Sequence, residues 1–310
     1  MSSRISWPDG KDFAFTVFDD TDFSTLENVR EVYSLLTSYG FQTTKSVWPT
    51  RGNKESLIGG STCEDQDYLK WVYNLKNIGF EIGYHNATFH SSLRDETIRA
   101  IEKFKELFGH YPRSMSNHSY NEENLYWGNY RLTGLNEFVY NLFTRNRHKG
   151  RFRGHIEGDK HFWGDVCKEK IKYVRNFVFS DINTLKACPI MPYHDPKRHY
   201  VNYWFSSSEG SNVRDFNQCI TEQNQDRLEE EGGVCIMYTH FANGFYQNGR
   251  INSRFQFLMG RLGKKNGWFV PVSTLLDYLL EIRGHHGITD KEKKQLERKW
   301  LWHKVKIGKT

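Results

Sequence analysis

The chain has no long apolar run. Nothing in it approaches the roughly 18 consecutive apolar residues that a membrane-spanning helix needs, and the opening MSSRISWPDGKDFAF lacks the apolar core of a secretory leader. Cysteine is scarce as well: Cys63, Cys167, Cys188, Cys219 and Cys235 are odd in number, widely spaced and never form a CxxC pair. That argues against a disulfide framework and against a thiolate metal site, and it fits free thiols in a reducing compartment. Strong basicity is also missing. Lys and Arg number 43 against 37 Asp and Glu, a formal charge of +6, and without a nucleic-acid motif this suits anionic small molecules or a membrane surface better than DNA or RNA. Neither an internal repeat nor a low-complexity tract stands out. A soluble, cytoplasmic protein with no nucleic-acid partner is the expectation.

Aromatic residues, by contrast, make up 15% of the 310 positions. They bury much area, and they also line sugar-binding clefts; most are expected in the core of one large domain.

The patterning alternates strands with helices. FAFTVF (13–18), TTKSVW (43–48), FEIGY (80–84), RSMSN (113–117), VCIMYT (234–239) and WFVPV (268–272) read as strands. Between them, a helix from Ser24 with Glu27 in a capping box, a second over 65–78 and a third over 93–108 carry apolar residues at helical spacing, and Gly40, Gly79 and Gly109 close them. Such alternation predicts a parallel α/β architecture. The region 135–230 resists this parsing. Its basic stretch RNRHKGRFRGH (145–155) reads either as a solvated surface or as a clamp for phosphate or carboxylate. The segment 286–310 reads as a basic helix or tail, docked on the domain 1–285 or making peripheral contact with an anionic membrane.

In parallel α/β folds the carboxyl ends of strands supply the reactive groups. Asp19 and Asp20 follow the first strand, His85 the third and His240 a late one. Adjacent carboxylates raise one another's pKa unless a cation separates them, and two histidines with one carboxylate form a ligand set for Zn²⁺ or another divalent ion. His85 and His90 are five residues apart. Neither a helix nor a straight strand brings side chains at that spacing together, so they converge only if the intervening NATF makes a turn.

Taken together, these residues resemble the polysaccharide deacetylase family (NodB homology, carbohydrate esterase family 4). FTVFDDTD looks like its first motif, HNATFH like its second, with one residue more between the histidines, and IMYTH like its last. The resemblance implies a distorted (β/α) barrel and a metal-dependent hydrolase that removes an N-acyl, typically acetyl, group from an amino sugar, a precursor in surface polysaccharide biosynthesis. The substrate would be a free, nucleotide-linked or lipid-linked sugar. It implies Asp19 as catalytic base, His240 as general acid, and Asp20, His85 and His90 as ligands of a divalent metal, zinc first, with cobalt, manganese, nickel or iron as alternatives. The family's arginine-containing R-x-P-Y motif is absent; SMSNHSYN stands in its place, which makes Asn117 and His118 candidate substrate-binding residues beside Trp204, and either of them the next candidate ligand if His90 points away from His85. Two other readings remain: a catalytically inactive carbohydrate-binding protein on the same fold, and a metal-dependent hydrolase of a non-sugar amide.

Overall fold

The computed structural model describes residues 5–56 and 58–307, so the last residues of the basic C-terminal segment, 308–310, lie outside the described residues. Strand β1, Phe13–Asp19, is buried along its whole length, as a strand covered on both faces must be. It pairs in parallel with β2 (Thr44–Val47), β2 with β3 (Glu81–Tyr84), β3 with β4 (Ser114–Met115), β4 with β5 (Tyr173–Phe179) and β5 with β6 (Tyr203–Ser208). β7 (Val234–Thr239) then pairs with both β6 and β1, closing a parallel (β/α) barrel of seven strands. The closing seam is the longest register of the ring on β1, from Ala14↔Val234 to Asp19↔Thr239. A Cβ at Gly83 in β3 would lie 3.0 Å from Thr44 and 3.2 Å from Phe18. The glycine lets strands and aromatic filling approach closely inside so small a ring.

The helices pack outside. α1 (Leu26–Ser38) buries Val29, Val32, Tyr33 and Leu36, as the periodicity requires. Its capping differs from expectation by one residue: Thr25 is the N-cap and its amide donates to Asn28 Oδ1 at 2.8 Å. α2 (Gln66–Asn77) and α3 (Arg94–Phe108) follow the expected spans. The long excursion between β4 and β5 carries α4 (Gly134–Phe143), on which the C-terminal helix Asp290–Ile307 packs. That helix is docked on the barrel: Trp300 is buried against Phe177 and Tyr140, and buried Glu297 accepts from Thr133.

His155 in this excursion is wedged between the rings of Tyr126 and Tyr130, at 4.2 and 4.5 Å. Its Nδ1 accepts from the Tyr126 amide. Burial, with Arg198 and Arg153 adding to it, pushes the imidazole down to about 3. The unfolded chain therefore takes up a proton near the ordinary value of about 6.5 while the folded chain does not, so stability falls as pH drops below that value and goes on falling towards 3. Urea titrations from neutral to mildly acid pH should show this decline, and His155→Gln should flatten it.

Candidate metal centre

Three side chains converge just beyond the carboxyl ends of β1, β3 and β4. One ligand atom each from Asp22, His85 and His118 lies within 4.8 Å of the other two. His85 Nε2 stands 3.0 Å from Asp22 Oδ1, and His118 Nε2 stands 3.5 Å from Asp22 Oδ2. Both imidazoles are held from behind. His118 Nδ1 donates to Asn121 Oδ1 at 2.8 Å, an acceptor fixed because Asn121 Nδ2 is already spent on Thr88 and Glu123. Ser116 Oγ donates to Asp20 Oδ1 at 2.8 Å and accepts from His85 Nδ1 at 2.7 Å, making a chain His85–Ser116–Asp20.

With each Nδ1 proton committed outward, each Nε2 turns a lone pair towards the Asp22 carboxylate. Lone pairs and an anion repel unless a proton or cation lies between them, and outer partners that fix a histidine tautomer are the usual support of a metal ligand. The His118 Nε2 is buried with no hydrogen-bond partner among the described residues. The donor set therefore fits a divalent ion held by one carboxylate and two imidazoles. Without a metal, a proton on each Nε2 plays the cation's part: burial pushes the Asp22 carboxyl up, but His118 and His85 in their protonated form outweigh it and hold it well below the usual range.

The sequence-expected residues divide. His85 is at the centre, and His118, expected to contact substrate or to stand in for His90 as a ligand, supplies the second imidazole. His90 is not brought to it: Nε2 accepts from the amides of Asn53 and Lys54 at 3.1 and 3.2 Å, Nδ1 donates to the Ser91 carbonyl, and the ring lines a surface cleft with Tyr120 and Arg151. Both of its nitrogens are used. The cause is Asn86, whose φ of 61° sends the chain after His85 into a left-handed turn that asparagine tolerates better than most residues. Its side chain donates to Glu123 and Asn124 and accepts from the His118 amide, tying the His85 turn to the His118 loop. Asn86→Ala should cost ~1–3 kcal/mol, because it strands the Glu123 and Asn124 acceptors; thermal unfolding measures the loss, and metal affinity should fall with it.

Asp20, expected to be a ligand, faces Arg175 of β5, which donates to both its oxygens at 3.0 and 2.5 Å. Burial raises its pKa, and Arg175 and then His85 reverse that, so the carboxyl stays below its ordinary value. Asp19, expected to be the base, is fully buried. It accepts from Lys45 Nζ at 2.9 Å, from Tyr33 Oη at 2.9 Å and from the Phe241 amide at 2.8 Å. These contacts lock β1 to β2, α1 and the end of β7. His240 points Nε2 to within 3.4 Å of Asp22 Oδ2 while Nδ1 donates to the Ser211 carbonyl. Burial pushes it down, but Asp22 and Asp20 raise it to about 9. Asn117 exchanges hydrogen bonds with the Leu125 backbone, and Trp204 is 1% exposed within the core; neither faces a substrate here. Trp48, after β2, lies 6.3 Å from His85 and 5.7 Å from His118, forming the apolar wall of the centre.

Sequence reasoning missed Asp22, Ser116, Trp48 and Arg175. The signal for Arg175 was available, since a lone arginine inside the strand run YVRNFVF has to find a buried carboxylate. Nothing comparable marked Ser116.

No family model matches the chain, and no curated protein is similar to it. Its fold does match solved structures. One assigned as a polysaccharide deacetylase from Mycobacterium smegmatis superposes with a TM-score of 0.53 at 13% identity, over 93% of this chain and 97% of that one. Another, assigned likewise, from Pseudomonas aeruginosa gives 0.48 at 13% identity, over 89% and 94%. The resemblance drawn from the motifs thus holds for the fold, at an identity of only 13%.

Proposed function

We propose, taking the polysaccharide deacetylase fold as the premise, that the chain is a divalent-metal-dependent hydrolase that removes an N-acyl group from an amino sugar. The observation that carries this reading is the convergence of Asp22, His85 and His118, each imidazole with its Nδ1 proton tied back, beside a separate carboxylate and a separate histidine. When bound, a divalent ion, zinc first, supplies Lewis-acid polarisation of the acyl oxygen. The remaining work falls to the chain. Asp20, kept ionised and oriented by Arg175, takes the proton from the attacking water; Asp19 is sealed off by Lys45 and Tyr33. His240, with Nδ1 committed to Ser211, exchanges a proton through Nε2 alone and delivers it to the leaving amine, without which the tetrahedral adduct would revert. A nucleotide- or lipid-linked precursor of a surface polysaccharide fits the expected cytoplasmic location.

Amine release from free and nucleotide-linked N-acetyl sugars, assayed with zinc-, cobalt- or manganese-loaded protein, tests the activity. Asp20→Asn and His240→Ala should each lose turnover while keeping the metal. Loss of metal from His240→Ala would make that residue a ligand, and full loading with no release from any of these sugars would overturn the sugar-deacetylase reading.

A further inference from the structure

The helix α4 is amphipathic the wrong way round. Its apolar residues Leu135, Phe138, Val139, Leu142 and Phe143 follow the spacing of one helical face, yet they are 76, 65, 38, 71 and 38% exposed. The protein-facing side carries the polar residues: Asn136 donates to Glu297 at 3.0 Å, Glu137 accepts from Asn129 at 3.0 Å, and only Tyr140 among the large side chains is buried, against Trp300. A surface helix ordinarily buries its apolar stripe. A contiguous exposed one marks a docking face.

The charge beside the stripe indicates what docks. Exposed Arg145, Arg147, Lys149 and Arg151 follow α4 directly, and the sequence has no Asp or Glu between Glu137 and Glu157. Among the described residues, Arg145, Arg147 and Lys149 form no ion pair. An exposed apolar helical face bordered by unpaired cations is the composition of an interfacial membrane element, in which the apolar residues enter the acyl boundary and the cations meet anionic headgroups. A second copy of the chain would bring the same cations towards one another across a twofold axis.

We propose that α4 and the loop 145–151 form a peripheral docking surface for an anionic lipid bilayer. This places membrane contact on α4 instead of the basic C-terminal helix, whose Leu296, Trp300 and Leu301 are buried in the domain. It does not depend on the hydrolase reading.

Co-sedimentation of the full chain with vesicles tests it, using phosphatidylcholine alone and phosphatidylcholine with about a third phosphatidylglycerol. The wild type should bind the anionic vesicles, more weakly as salt is raised. Phe138→Asp with Leu142→Asp, and separately Arg145→Glu with Arg147→Glu, should each reduce partitioning by about tenfold or more, with melting temperature and metal content unchanged. All four positions are exposed, so the fold should tolerate the changes. No binding by the wild type, or equal binding to both vesicle types that the charge reversals leave intact, would overturn the proposal. So would a dimer in solution that Phe138→Asp with Leu142→Asp dissociates, which would assign the face to a second copy.

Discussion

His118→Ala should strip the protein of its metal, whereas His90→Ala should leave it loaded. His90 lies five residues from His85 and the motif resemblance points to it, but of His90 and His118 only His118, from the loop after β4, turns a free Nε2 towards Asp22. Losing one of three protein ligands should weaken binding by more than the ~10–100-fold that removal of an outer partner brings. Ser116→Ala, which cuts the link from His85 Nδ1 to Asp20, falls in that smaller range. Metal content after gel filtration and competition with a chromophoric chelator separate the three variants. The opposite ranking, His90 essential and His118 dispensable, would return the site to the assignment suggested by the sequence.

Lys45→Met should be the most destabilising single change in the barrel. Lys45 and Asp19 are neighbours in register on β2 and β1 and are both fully buried. Burial alone would lower the pKa of the lysine, but Asp19 carries it above its ordinary value, so the lysine keeps its charge. Removing one partner leaves a charge in a medium that cannot solvate it, a cost of ~3–5 kcal/mol, or on the order of 10 °C in melting temperature for a chain of this size. Lys45→Met combined with Asp19→Asn should recover most of the loss, because a neutral amide has no charge left to strand. Additive losses in the double variant would mean that the two residues do not act as a pair.

Much of the fold was legible in the sequence because its signals are local. FAFTVF and VCIMYT are apolar runs with no other use than a buried strand, and the helices between them carry their own spacing and stops. The site was legible only to the level of where it lies. Asp20 and His85 were correctly placed at strand ends, but which of three nearby aspartates faces the histidines depends on how the chain turns after β1, and no spacing rule shows that. The extra residue in HNATFH made His90 look like a relaxed version of a known motif. The turn at Asn86 instead directs His90 to the surface, and the loop after β4 supplies His118. The lone arginine in YVRNFVF signalled a buried partner, but that the partner is Asp20 shows only when β5 stands across the barrel from it.

The seam that closes the ring also sets the order of assembly. β1 is made before the other six strands of the ring, yet its longest pairing is with β7, more than two hundred residues later, so the chain carries an open FAFTVF edge until β7 has been made. Closing such a long loop is slow, and an apolar strand edge left open in the meantime invites pairing with another nascent chain. Fragments that end before Thr239 should therefore accumulate as aggregates, and chaperone demand during synthesis should drop only after β7 has been made.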